Sequence, residues 1–295
     1  MASLACLLVI TSRRAVCMHT SNDHIFVLMP SLSLLFLAGL LGVCWATQPK
    51  QRVLLWLCAS FLLTAMSISI RSVLKFEVLN HYVVLVNALF LAGAWCFSKS
   101  FSERRCVPTY PLAALVLCAA TLASLYYFAN VAQNQVGRLH TFGIGVALML
   151  LLPVPAVLKR GLTNDWLDRI LLWSYMFYAV FTMLRPTLVA TFAHNGLGDA
   201  MDANSTYWLT TLMSILLFAL LFTVLFCAVT IRDTVRQLRT ERDLDALTQI
   251  LNRRAFREAA QHRLTDPRLY PMALLASDID HFKRINDNWG HDKGD

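Results

Sequence analysis

Long apolar segments alternate with short polar connections over the first 230 residues of the chain. A helix that crosses a bilayer core of ~30 Å needs about 20 residues, because each residue adds ~1.5 Å. Seven segments approach this length, and they lie at 25–46, 53–70, 82–97, 111–129, 141–158, 170–193 and 207–231. The pattern predicts an α-helical polytopic membrane bundle of about seven spans.

The segment after residue 231 is charged but keeps a helical pattern. Ile231, Val235 and Leu238 are four and three residues apart, as on one face of a helix. We therefore expect a helical linker over 232–244. A plain solvated helix and a dimerising stalk both fit these three apolar positions, since a coiled coil needs about three heptads or more.

The last fifty residues have the pattern of an α/β domain. Apolar residues with helical spacing predict an amphipathic helix that starts at residue 245 and ends before Asp266 and Pro267. The apolar run 272–277 predicts a buried strand, and Asp278 and Asp280 follow it directly before a further helix. Carboxylates at a strand end suit a hard cation, and the free amides at a helix start suit a phosphate. The segment therefore predicts a site for a metal and a nucleoside triphosphate.

Composition supports this two-part organisation. Of the 295 residues, 57% are hydrophobic and 15% are charged, which excludes a single soluble domain, a disordered chain and a small disulfide scaffold. Residues 1–230 hold 14 basic and 7 acidic residues, so seven of the eight units of net charge flank apolar spans. This placement indicates membrane orientation, and we expect no nucleic-acid partner.

The basic residues also predict the orientation of the bundle. The odd-numbered connections carry eight of them and the even-numbered connections carry three, which places the amino terminus outside and the carboxyl terminus in the cytoplasm. The eight are Lys50, Arg52, Lys99, Arg104, Arg105, Lys159, Arg160 and Arg169, and the three are Arg71, Lys75 and Arg138.

Residues 245–295 resemble the first third of a GGDEF domain, the diguanylate cyclase module. The first motif of that family, Asp-x-Leu-Thr-Gly-Leu-x-Asn-Arg-Arg, corresponds to residues 245–254, with Gln249 in place of the glycine. The second motif corresponds to residues 278–287 and 290–295. The order and spacing of two long motifs make this resemblance far more specific than an isolated Asp-x-Asp.

The resemblance implies a nucleotide-binding role for particular residues. They are Asp278 and the Ile279 carbonyl for Mg²⁺, the amides of His281, Phe282 and Lys283 for the β- and γ-phosphates of GTP, and Asn286 and Asp295 for the guanine edge. The family joins two GTP molecules into cyclic di-GMP, so two domains must face each other in a homodimer. The implied location is the bacterial inner membrane.

These patterns divide the chain into four predicted parts: an extension with a doubtful start at 1–24, a sensor bundle at 25–231, the linker at 232–244 and the incomplete GGDEF domain at 245–295. We expect the chain to be a fragment, itself inactive, of a longer membrane-bound diguanylate cyclase, because it ends before the signature loop that names the family. A non-catalytic receptor or scaffold is the alternative. A transporter is disfavoured, since Arg185 is the only charge well inside a span.

Three features of the bundle have open interpretations. Arg185 is either functional or reaches outward to the interface, and Pro186 is expected to kink its helix. Asn87 is predicted to form a hydrogen bond between helices. Four histidines fall near the outer membrane face in the predicted topology. They are either polar residues at helix ends in the interface, which is the simpler interpretation, or part of a metal or pH sensor. They are His24, His81, His140 and His194.

Overall fold

The protein is described by a computed structural model. The structure describes residues 28–73, 82–161, 164–192, 206–245, 247–278 and 280–290. The predicted extension at 1–24 lies outside these residues. The chain divides into two compact units, Met1–Val229 and Thr230–Asp295.

The first unit is a bundle of long apolar helices. Among the described residues, seven helical segments are long and apolar enough to cross a membrane, which confirms the predicted number. The helices are α1 Leu28–Thr47, α2 Arg52–Val73, α3 Val83–Arg105, α4 Pro111–Tyr126, α5 Gln135–Leu151, α6 Val154–Arg160, α7 Trp166–Phe192 and α8 Thr206–Asp243. Helices α5 and α6 together form one of the seven segments.

Local chemistry sets several helix ends. Pro111 occupies the first turn of α4, where its missing N–H costs nothing. The Asn134 side chain accepts a hydrogen bond from the Gly137 amide and caps α5. Cys106 ends α3 in the left-handed conformation, which turns the chain away from the helix axis.

Aromatic side chains fill the centre of the bundle. Tyr175 stacks on Phe101 with ring centroids 4.1 Å apart, and Phe97 and Phe222 lie against the same ring. The Tyr175 hydroxyl donates a hydrogen bond of 2.6 Å to the Leu150 carbonyl, so its polar end is satisfied inside the core. The outward faces are also apolar, with exposed leucines and phenylalanines on most helices. Apolar residues both inside and outside are typical of a membrane bundle.

Small residues line the contact between α2 and α3. Gly93 on α3 faces the Ser60 carbonyl and the Thr64 side chain of α2, with no room for a larger residue. The Ser67 hydroxyl donates to the Val86 carbonyl across this interface at 2.8 Å, and Ser100 donates to Val53 at 3.0 Å. These contacts bring the two helix backbones close together.

The structure decides between the open interpretations of two polar residues in the bundle, Asn87 and Arg185. The Asn87 amide donates to the Val83 carbonyl one turn earlier on α3, at 2.7 Å, so the predicted bond between helices is not the one formed. The acceptor that the Asn87 amide uses is a carbonyl of its own helix. Arg185 is buried rather than extended to the interface, and α7 continues through Pro186 to Phe192.

Only one of the four histidines lies in the described part of the chain. His140 contacts the Val136 carbonyl at 2.9 Å and the Thr187 hydroxyl at 3.2 Å. His24, His81 and His194 lie outside the described residues. Within those residues no group of three or more histidine, cysteine or acidic side chains is placed to hold a metal ion.

The second unit contains the end of α8 and two shorter helices, α9 Arg253–Leu264 and α10 Phe282–Trp289. The helix predicted from residue 245 is wrong at its start, because α9 begins only at Arg253, whereas its end at Leu264 falls before Asp266 as predicted. The predicted strand at 272–277 is also not formed: no strand pairing involves this run among the residues described, and Leu274 and Leu275 are 81% and 93% exposed. A strand needs a hydrogen-bonded neighbour, and the described chain provides none here.

Candidate nucleotide-binding site

Asp245 organises a tight turn at the start of the first motif. Its Oδ1 accepts hydrogen bonds from the amides of Leu247 and Thr248, at 3.2 and 3.1 Å, and from the Thr248 hydroxyl at 3.0 Å. The bonds from Thr248 and Leu247 hold the pKa of the Asp245 carboxyl below its ordinary value. Asp245 thus acts as the acceptor of an Asx-type turn, which competes with a helix at this position.

Asn252 joins the end of α8 to the start of α9. Its Nδ2 donates to the Arg242 carbonyl at 2.7 Å, and its Oδ1 accepts from the Ala255 amide at 3.0 Å as the cap of α9. A single antiparallel bridge between Leu244 and Leu251 closes the loop between them. The first motif therefore has a structural role, and we call residues 242–255 the clasp. In the sequence, an aspartate followed seven residues later by an asparagine that can cap a helix indicates this structure.

Gln249 lies at the tip of this turn with φ of 56°, in the left-handed region. An L-residue with a side chain is disfavoured there by about 1 kcal/mol or more, while glycine is not. This geometry explains why the family pattern has glycine at the position that Gln249 occupies here.

We expect Gln249→Gly to stabilise the turn by about 1 kcal/mol, because it removes the left-handed strain. The matched control is Gln261→Gly within α9, which should destabilise by about 1 kcal/mol because glycine is a poor helix former. Hydrogen exchange of the amides in residues 245–264 measures both effects. Equal loss of protection in the two variants would contradict the left-handed assignment.

The second motif places Asp278 shortly before the start of α10. Asp278 is exposed, and α10 begins four residues later at Phe282. His281 precedes the helix with φ of 59°, and its carbonyl accepts from the Arg284 amide at 2.9 Å. The first amides of a helix have no acceptor one turn earlier, so the Phe282 and Lys283 amides are available to a phosphate.

Several predicted site residues follow one another at the start of α10. His281 and Lys283 have exposed side chains at the amino end of α10, and Asn286 is on the same helix. Ile279 and Asp295 lie outside the described residues, and the predicted roles of all these residues stay predictions. Asp278 supplies one carboxylate four residues before the start of α10. This donor set fits a hard cation such as Mg²⁺, which keeps several waters and takes further oxygen ligands from a bound triphosphate.

A family model for the diguanylate cyclase GGDEF domain matches residues 242–295. Probable diguanylate cyclase DgcC of Escherichia coli is 29% identical over 124 residues, which are 41% of this chain and 33% of that protein. Diguanylate cyclase DosC of Shigella flexneri is 39% identical over 82 residues, 22% of this chain and 21% of that protein. Cyclic di-GMP phosphodiesterase NbdA of Pseudomonas aeruginosa is 49% identical over 53 residues, 17% of this chain and 7% of that protein.

No solved structure gives a significant match to the chain. The matched part spans a third or less of the length of these curated relatives. Both family motifs fall inside the matched segment, and the clasp and the start of α10 are the local structures that they build. Residues 242–295 are therefore similar to the GGDEF domain of diguanylate cyclases, whose family model they match.

Proposed function

We propose that the full-length protein is a membrane-bound diguanylate cyclase that makes cyclic di-GMP from two molecules of GTP. The observation that carries the proposal is the placement of Asp278 four residues before the amino end of α10, within a segment that matches the GGDEF family. A carboxylate beside free helix amides suits a metal-bound triphosphate.

The proposed reaction needs positioning more than it needs a protein nucleophile. The His281, Phe282 and Lys283 amides would hold the β- and γ-phosphates, and the Asp278 carboxylate and the Ile279 carbonyl would hold Mg²⁺. When bound, Mg²⁺ supplies the positive charge that offsets the charge of the triphosphate. Asn286 and Asp295 read the guanine. The 3′-hydroxyl of each GTP attacks the α-phosphate of the other, and two pyrophosphates leave.

This reaction joins two nucleotides, so we propose that the protein acts as a homodimer. The apolar stripe on the last part of α8 supports this: Ile231 and Leu238 are 62% and 59% exposed on a charged helical segment, and Val235 lies between them. A second copy of the same stripe would cover these side chains. In this proposal the linker at 232–244 is the dimerising stalk.

We further propose that the bundle anchors the protein in the bacterial inner membrane, with the GGDEF segment in the cytoplasm, and that the bundle controls the output. The basic residues of the odd-numbered connections support this orientation. It also places the site in the compartment that holds GTP. Lipid acyl chains are then the partners of the exposed apolar helix faces.

The test is cyclic di-GMP formation by membranes that carry the full-length gene product, supplied with GTP and Mg²⁺. We expect product in these membranes and none in membranes without the protein. No product would favour the second candidate, a non-catalytic GGDEF receptor or scaffold. One comparison favours that candidate: the matched segment also occurs in a relative named as a phosphodiesterase, not a cyclase.

A further inference from the structure

Three arginines meet at one end of the helix bundle. Arg71 is in the last turn of α2, Arg138 is in the first turn of α5, and Arg185 lies near the end of α7. Arg138 and Arg185 are only 8% and 4% exposed. The Arg71 guanidinium lies within electrostatic range of both others. We call Arg71, Arg138 and Arg185 the arginine cluster.

Two aromatic residues from the first turn of α8 complete the surroundings. The Arg71 guanidinium carbon is 4.0 Å from the centre of the Trp208 ring. The Arg185 Nη2 donates to the Tyr207 hydroxyl at 3.4 Å, and its guanidinium carbon is 5.5 Å from the centre of that ring. Both rings are buried. These contacts hold the guanidinium groups in place, but they supply no negative charge.

The Arg185 Nε is buried and has no hydrogen-bond partner in the described part of the protein. A buried charged donor without an acceptor is strongly unfavourable. The positive charges of Arg71 and Arg138 lie close by and add to that cost. An anion at this position would relieve both effects.

The other end of the bundle shows how this chain satisfies an arginine internally. Arg104 of α3 makes a two-pronged contact with the Asp168 carboxylate of α7, with Nε–Oδ1 and Nη2–Oδ2 distances of 3.2 Å. Arg185 lies 17 residues after Asp168 on the same helix, about 25 Å along its axis. There its guanidinium donates to a neutral hydroxyl, that of Tyr207.

We propose that the arginine cluster binds an oxyanion, a carboxylate or phosphate group, carried either by a small solute or by a lipid headgroup. The planar forks of arginine match both groups in two-pronged geometry. The amino ends of α5 and α8 lie at the same cluster, and their partial positive charge adds to the attraction. This site is independent of the GGDEF chemistry, and the bundle alone provides it.

Thermal unfolding of the chain in maltoside micelles, which carry no carboxylate or phosphate, tests the site. At constant ionic strength, citrate or inorganic phosphate should raise Tm by about 5 °C if a solute is the ligand. If a lipid headgroup is the ligand, phosphatidylglycerol added to the micelles should give the rise without added solute. Arg185→Gln should abolish the rise in either arm, whereas Arg52→Gln, an exposed arginine at the start of α2, should keep it.

No rise in any arm would overturn the proposal, as would an equal loss in Arg52→Gln and Arg185→Gln. The first result would mean that the chain satisfies the cluster itself. If Arg185→Gln does not fold, the Arg185→Lys variant tests the site instead, because lysine keeps the positive charge but cannot make the two-pronged contact of a guanidinium. We expect it to need about 10-fold more anion for half of the effect, and an unchanged midpoint would also overturn the site.

Discussion

Replacing Asp278 with asparagine in the full-length gene product is expected to lower the rate of cyclic di-GMP formation by about 100-fold or more. The substitution keeps the size of the side chain but removes the charge that, in the proposed site, holds the cation. Loss of one such electrostatic contact at a reacting phosphate typically costs two or more orders of magnitude in rate. Product formed from GTP by isolated membranes measures the effect.

A control carboxylate lies nearby on the same segment. Glu258 is exposed on α9 and lies outside both family motifs. The Glu258→Gln variant should therefore make cyclic di-GMP at the rate of the unsubstituted protein. If Asp278 binds the metal, raising the Mg²⁺ concentration should partly restore the activity of the Asp278→Asn variant. A variant that kept full activity at low Mg²⁺ would remove Asp278 from the metal site. A variant that stayed inactive at every Mg²⁺ concentration would favour a structural role.

Replacing Gly93 with leucine is expected to destabilise the bundle by about 3 kcal/mol, or about 10 °C in Tm. A Cβ at this position would lie 2.7 Å from the Thr64 hydroxyl and 3.1 Å from the Ser60 carbonyl. The second contact involves backbone, so α2 and α3 must move apart. That movement would also lengthen the bond between the Ser67 hydroxyl and the Val86 carbonyl.

The matched control is Gly39→Leu on α1, because a Cβ there would meet nothing within 4 Å. This variant should unfold at the parent temperature or slightly above it, since leucine favours a helix more than glycine does. Gly93→Ala should fall between the two leucine variants. Thermal unfolding in one detergent compares all three with the parent. An equal shift for both leucine variants would refute the close approach of α2 and α3.

The sequence predicted the bundle well because span length is a one-dimensional signal. Apolar length alone identified the seven helical segments, and no knowledge of their packing was needed. The arginine cluster was not predicted, since its members come from three helices that are far apart in sequence. Arg71 and Arg138 counted only as charges in connections, and Arg185 counted only as an isolated charge inside a span.

The first motif shows why a local pattern misled. Leu247, Ile250 and Leu251 have the spacing of a helical face, but Asp245 and Asn252 accept the amide hydrogens that a helix would otherwise need. The hydrogen bonds of these two side chains favour a turn over the helix that the apolar spacing predicts, so the helix begins only at Arg253. For the apolar run 272–277, just before the second motif, the sequence predicted a strand from apolar content, while pairing depends on a neighbour that no local pattern specifies.

The apolar run Met272–Ser277 has a consequence for work with the isolated chain. Its six residues are mostly apolar and carry no charge and no proline, which are features of segments that add to one another edge to edge. Leu274 and Leu275 are almost fully exposed on it. Chains brought together at high concentration in detergent would therefore associate through this run into aggregates, and a charged residue in place of Leu275 would interrupt them.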